Sequence, residues 1–246
     1  MSDTIKKRLI IGISGASGII YGIRLLELIR NMSDESRPES HLVMSRSAEI
    51  TLAYETKKKV KDVHQLADVV YANKDIGASL ASGSFKTMGM IIAPCSVKTL
   101  AEIATGVTDT LISRAADVIL KERRRLVCMV RETPLHSGHL KNMLALTEMG
   151  GIIAPPVPAF YAKPKSLDEM IDHTIGRALD LFEIETNTVK RWKDEKPIYK
   201  ALNKLSKLTT SHLLMAVSIV FAISKSFVSP SLSPITIRPT GAVSAS

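Results

Sequence analysis

The stretch Arg8-Leu9-Ile10-Ile11-Gly12-Ile13-Ser14-Gly15-Ala16-Ser17-Gly18-Ile19-Ile20-Tyr21-Gly22 leaves few folds open. It begins as an apolar run of strand length and then passes through small residues only. Apolar residues resume at helical spacing: Ile19, Ile20, Ile23, Leu26 and Ile29. The pattern predicts strand, tight turn, helix. Glycines let the backbone turn sharply and let a ligand come close. A helix start carries unpaired N–H groups at a positive dipole end, which favours an anion such as phosphate. Ser14 and Ser17 add hydroxyls. The first expectation is therefore a phosphate-bearing ligand at this turn. Gly12, Gly15 and Gly18 also match nucleotide-dependent reductases, whose second strand ends in an acid that holds a ribose hydroxyl. Here the second strand, His41-Leu42-Val43-Met44, runs into Ser45 and Arg46, which disfavours a plain dinucleotide site.

The 246 residues suffice for one α/β domain with a real core plus an appendage. Cys95 and Cys128 make no disulfide framework and match no zinc spacing. The chain passes directly from Met-Ser-Asp-Thr-Ile-Lys-Lys-Arg into the first strand, so no leader is read and the expected compartment is the cytoplasm. The net charge of +9 is uneven. From Lys190 onward there are nine Lys/Arg and two acids; the first 189 residues hold 24 and 22. The core is nearly neutral, which argues against a nucleic-acid-binding face.

Further strands are expected at His41–Met44, Met88–Ala93, Leu126–Val130 and Ile152–Ile153, with helices between them. Ser96 is a plausible N-cap, Asp109 a cap for a helix from Thr110 to about Arg124, and Ser166 with Glu169 a capping box for a helix through Phe182. Lys57 to Lys61 reads as a solvated turn, and Ala72 to Phe85 as a small-residue loop able to approach a ligand. Alternating strands and helices predict an α/β fold with a single doubly wound, mostly parallel sheet in three layers, Rossmann-like or flavodoxin-like. Ligands of such sheets sit beyond the carboxyl ends of the strands. Ser14 to Gly18, Ser45, Ser96 to Thr99, and Arg131-Glu132 all fall there.

These clusters lack a Gly-x-Ser-x-Gly elbow, a His-Glu-x-x-His helix, a Walker lysine loop and an Asp-Asp-x-x-Asp run. Hydroxyls, backbone N–H groups and a few cations remain, an inventory suited to a flavin and a monophosphate without metal. Arg131 can grip a phosphate or a polar ring edge, or pair with Glu132. Lys121 and Arg123 to Arg125 read as a helix end that complements its dipole. His136 and His139 read as structural or surface residues. Tyr161 follows a proline-stiffened loop and either reaches a ligand or caps the core. Arg177 lies beside an apolar helix face and calls for an anionic partner.

The blocks Gly12 to Gly18, His41 to Ser45, Ala93 to Leu100, Arg114 to Val118, Leu120 to Arg124, Val130 to His136 and Pro155 to Tyr161 resemble the UbiX-type flavin prenyltransferases, relatives of the phenylacrylic acid decarboxylase flavoproteins. They occur in family order over roughly residues 7 to 192. The resemblance implies transfer of a dimethylallyl group from dimethylallyl monophosphate to N5 and C6 of reduced FMN, without metal. The prenylated FMN then serves a UbiD-type decarboxylase, in many bacteria for ubiquinone biosynthesis. Residue by residue, it implies FMN binding by Gly15, Ala16, Ser17, Ser45, Ser96, Val97, Lys98, Thr99 and Arg131. It implies donor phosphate binding by Tyr161 and Arg177, with Lys121 and Glu132 nearby, and catalytic roles at Ser17, Glu55, Glu132 and Lys121. It also implies a homo-oligomer, a dodecamer, in which Tyr161 and Arg177 complete a neighbour's site.

Two departures stand out. Asp75-Ile76 occupies a loop where some relatives carry tryptophan. The chain also continues past the usual family end at Arg191-Trp192 into a basic extension, residues 193–246. That extension is read as partly disordered, with one apolar run, Leu213 to Ile223, which is shorter than the roughly 20 residues of a membrane span. An interface helix or a loose extension is the leading reading of that run, ahead of contact with a membrane surface. A direct flavin-dependent decarboxylase of aromatic acids or cysteine-type peptides, or a non-catalytic flavin carrier, are the rival readings on the same fold.

Overall fold

Six strands run parallel in the order β3-β2-β1-β4-β5-β6. The structure is a computed structural model; it describes residues 6–192, so the expectations for residues 193–246 lie outside the described residues. The strands are β1 (Arg8–Ile13), β2 (Glu39–Met44), β3 (Val69–Ala72), β4 (Gly89–Cys95), β5 (Arg125–Val130) and β6 (Ile152–Ile153). The helices are α1 (Ile19–Arg30), α2 (Arg46–Glu55), α3 (Val60–His64), α4 (Val97–Thr105), α5 (Leu111–Lys121), α6 (Ser137–Glu148) and α7 (Leu167–Asp180).

Side-chain alternation along β1 divides the core in two. Leu9, Ile11 and Ile13 pack with Ile19, Ile23 and Leu26 of α1 and with Ile171, Ile175 and Leu179 of α7. Ile10 faces the other way, toward Leu111, Ile112 and Ala115 of α5 and Leu100 of α4. Both faces of β1 and β4 are covered, so these strands read as continuous apolar runs. Arg24 of α1 grips Asp172 of α7 through Nε and Nη2, at 2.9 and 2.8 Å.

Four details differ from the sequence reading. Strand β3 and the short helix α3 were not anticipated. Val69–Ala72, Val-Val-Tyr-Ala, is a four-residue edge strand with alternate residues exposed, too short for its apolar residues to mark it. Lys59 precedes α3 as its N-cap rather than sitting within a turn, although the lysines around it are exposed. Helix α5 is capped by Thr110, not Asp109. The Thr110 hydroxyl accepts from Ser113 N–H, and the Ser113 hydroxyl accepts from Thr110 N–H, both at 3.3 Å. At α7, Ser166 caps Glu169 N–H at 3.1 Å, but the Glu169 carboxylate reaches one residue further back, to Lys165 N–H.

Candidate active site

The strand order reverses direction between β1 and β4, where two neighbouring crossovers depart to opposite faces. This is the switch point at which open α/β sheets leave a crevice. A cavity of about 340 Å³ opens there. Its walls include Gly15, Ala16, Ser17, Ser45, Ser96 to Thr99, Arg131 and Glu132. The starts of α2 and α4 and the turn before α1 meet at this point.

Each wall is built from local chemistry. Ser45 caps α2 by accepting from Ala48 N–H at 3.1 Å, and Ser96 caps α4 by accepting from Thr99 N–H at 3.2 Å. The cap role and a place in the cavity wall are therefore compatible. Gly18 enters α1 at φ 92°, a left-handed conformation suited to glycine. Gly15 lies so close to α2 that an added Cβ would stand 2.2 Å from Cβ of Ser47. Arg131 makes no ion pair among the described residues, so the pairing with Glu132 is absent there. Burial pushes the Tyr21 phenol up, partly offset by the Arg131 guanidinium nearby. Glu132 accepts from Thr133 N–H at 3.0 Å through Oε1.

The N-terminus of α1 narrows the first expectation, because the turn lines the cavity while the helix start is engaged within the chain. Its anion is a side chain of the same molecule. Glu55, the last residue of α2, accepts from Gly18 N–H at 3.1 and 2.9 Å and from Ile19 N–H at 2.9 Å. Two donors at that helix start, Gly18 N–H and Ile19 N–H, are thereby taken. The Ser14 hydroxyl is likewise engaged within the chain. It is 1% exposed, donates to the Pro94 carbonyl at 3.0 Å and accepts from Ser96 N–H at 2.7 Å. It joins the end of β1 to the start of α4. Ser14→Ala leaves Ser96 N–H without its partner, and a loss of about 2 kcal/mol in urea-unfolding stability is expected; an unchanged midpoint would show that the bond carries no weight.

The remaining candidates lie elsewhere in the chain. Tyr161 and Arg177 line a separate cavity of about 300 Å³ with Met129, Ala154 and Pro155. The anionic partner expected for Arg177 is Asp180, whose Oδ2 accepts from Nη1 at 2.6 Å. Lys121 ends α5 and pairs with Glu122, whose carboxyl it holds below the usual range. Helix α5 starts at the cavity, where Ile112 is part of the wall. Nine residues of helical rise put Lys121 roughly 14 Å away, at the opposite end of the sheet. One chain does not bring Lys121 together with Ser17 and Glu132. Of the small-residue loop, only Asn73 reaches the cavity wall; Ile76 is exposed and outside it.

Sequence reasoning missed Ser47, Asn73, Glu102 and Thr110 in the wall. Asn73 follows the unrecognised β3, and its side-chain oxygen accepts from Ile112 N–H at 3.1 Å. Ser47 had a usable signal, since it opens the helix that Ser45 caps. Cys95, beside Ser96, is buried and free; a hydrogen bond with Cys128, followed by burial, pushes its thiol well up, which is unsuited to a nucleophile.

A family model described as Flavoprotein matches residues 2–193, which defines the class. Over 178 residues, 72% of this chain and 93% of the relative, the sequence is 57% identical to flavin prenyltransferase UbiX of Escherichia coli K12. It is 52% identical over 187 residues to a probable UbiX-like flavin prenyltransferase of Bacillus subtilis, covering 76% and 90% of the two. The chain thus belongs to the UbiX-type flavin prenyltransferases. Among solved structures, AnUbiX (PadA1) in complex with FMN and dimethylallyl pyrophosphate superposes with a TM-score of 0.74 at 48% identity, covering 78% of this chain and all of that one. A dodecameric FMN-dependent UbiX-like decarboxylase from Escherichia coli O157:H7 gives 0.73 at 47%, covering 76% and 99%.

Proposed function

We propose that this protein joins the dimethylallyl group of dimethylallyl monophosphate to reduced FMN and releases phosphate. The observation that carries this reading is the hydroxyl- and N–H-lined cavity at the switch point, with Arg131 and Glu132 on its rim. Its residues fit a flavin mononucleotide. The Ser96–Thr99 start of α4 offers N–H groups and hydroxyls for the phosphate, while Gly15 to Ser17, Ser45 and Arg131 offer donors along the ring system. When bound, FMN supplies N5 and C6 as the acceptor atoms.

The chain's own residues do the rest. Phosphate is a poor leaving group, so fixed cations must stabilise the charge developing on it. Arg177 and the Tyr161 hydroxyl serve that end. Glu132 accepts the proton released when the second carbon–flavin bond forms, and Ser17 shares proton handling with it. Glu55 holds the turn that carries Ser17. Tyr161, Arg177 and Lys121 lie outside the flavin cavity of their own chain, which favours a site completed between copies of a dodecamer. The product passes to a UbiD-type decarboxylase, with ubiquinone biosynthesis the expected setting and the cytoplasm the expected compartment. Among the described residues no helix is long and apolar enough to cross a membrane.

The test is anaerobic incubation with reduced FMN and dimethylallyl monophosphate, followed by mass analysis of the flavin. A gain of one five-carbon unit with stoichiometric phosphate is expected. Flavin recovered unmodified under these conditions marks a carrier. Carbon dioxide released from an aromatic acid or a cysteine-ended peptide, with no donor present, marks a decarboxylase.

A further inference from the structure

Asp180 stands between two arginines. Its Oδ2 accepts from Arg177 Nη1 at 2.6 Å and from Arg191 Nη1 at 3.1 Å, and its Oδ1 accepts from Arg191 Nη2 at 3.1 Å. The carboxylate is 13% exposed, against 52% for the Arg177 side chain and 46% for Arg191. An acid at the last residue of a helix opposes the helix dipole. Two guanidiniums offset that cost here. Isolated surface ion pairs contribute little, but here the shared carboxylate is largely buried, doubly bonded by Arg191, and paired with a side chain that lines a cavity.

The chain after α7 delivers Arg191. It folds back along the helix at Gly176, where an added Cβ would stand 2.5 Å from Thr188 Oγ1 and 2.6 Å from Val189 Cγ2. Thr188 donates to the Asp172 carbonyl at 3.1 Å, and His173 Nε2 lies 3.3 Å from the Lys190 carbonyl oxygen. The next residue, Trp192, meets the Tyr161 ring edge-on, with centroids 5.4 Å apart. Consecutive residues of one returning segment therefore bear on both side chains assigned to the donor phosphate.

We propose that Asp180, itself held by Arg191, is a positioning residue that presents Arg177 to the phosphate of the prenyl donor. The inference rests on the placement of Arg177 given above. Only Nη1 of Arg177 is engaged by Asp180. Its other guanidinium donors stay available for an anion, while the bond to Asp180 removes side-chain freedom that binding would otherwise have to remove. A lone Asp180 would neutralise Arg177 and repel a phosphate dianion. With Arg191 sharing the carboxylate, Arg177 is not the only cation that Asp180 holds. As the phosphate draws Arg177 toward itself, Arg191 keeps the carboxylate paired, so no buried acid is left unpartnered.

The test is steady-state prenyl transfer by the full chain. For Asp180→Asn and for Arg191→Ala, KM for dimethylallyl monophosphate is expected to rise about tenfold, with a smaller change in kcat, from loss of one charge-assisted contact. The inhibition constant of inorganic phosphate should rise in parallel, and flavin affinity should stay at the parent value. The double variant should be no worse than the poorer single one, because both act through Arg177. An unchanged KM and phosphate inhibition constant in Asp180→Asn overturns the proposal. So do effects that multiply in the double variant, or a loss confined to flavin binding and melting temperature. Arg177→Ala separates the two levels: if it leaves donor KM unchanged, the placement of Arg177 has failed. If it raises KM while Asp180→Asn does not, only the positioning role has.

Discussion

Gly15→Ala is expected to weaken FMN binding by about 100-fold, the scale set by displacing binding groups by about 1 Å. A Cβ at this position would stand 2.2 Å from Cβ of Ser47 and 3.0 Å from its carbonyl carbon. The second of these is backbone, so no rotamer change relieves the clash. The turn Gly15-Ala16-Ser17 must then move away from the start of α2, and the two form facing walls of the cavity. The same overpacking should lower stability by about 2 kcal/mol. Fluorescence titration of FMN and urea unfolding check the two effects separately. Flavin affinity within threefold of the parent would mean that the turn does not shape the flavin site.

Glu132→Gln is expected to slow formation of the prenylated product by about 100- to 1000-fold while leaving flavin affinity unchanged. The amide keeps the shape of the carboxylate, and its oxygen can still accept from Thr133 N–H, the contact Glu132 makes at 3.0 Å. It cannot accept the proton. Single-turnover mixing of reduced flavin and donor, followed by quenched mass analysis, resolves the two bond-forming steps. If attachment and ring closure both run at the parent rate, Glu132 is not the proton acceptor.

Most of the architecture was legible because it rests on buried strands. β1, β4 and β5 are apolar runs, and the caps Ser45, Ser96 and Ser166 are short-range signals. β3 was hidden because four residues, Val-Val-Tyr-Ala, are too few to separate a strand from the loop that follows. Thr110 in place of Asp109 is a one-residue choice settled by the reciprocal partner Ser113, which lies three residues ahead.

The site was legible in its wall and obscure in its contacts. Gly15 to Ser17, Ser45 and Ser96 to Thr99 line one cavity as the parallel topology requires. Nothing local marks Ser14 as inward-facing, because its partners Pro94 and Ser96 lie 80 and 82 residues away. The same holds for Glu55, whose partners Gly18 and Ile19 are 37 and 36 residues distant. Such long-range bonds exist only after the sheet has ordered its strands. Lys121 shows the converse: it sits in a family-like block, yet helical rise carries it to the far end of the sheet.

The carboxylate of Glu55 at the head of α1 also bears on turnover. On the placement proposed above, the flavin phosphate meets the dipole of α4, while the dipole of α1 at the same crevice meets the chain's own carboxylate. A helix end contributes about 0.3–1 kcal/mol to holding an anion, which corresponds to roughly two- to fivefold in affinity. For an enzyme whose flavin is cargo, grip is a liability once the reaction is over. A carboxylate already seated at the head of α1 leaves that helix start little to add to the grip on a bound anion.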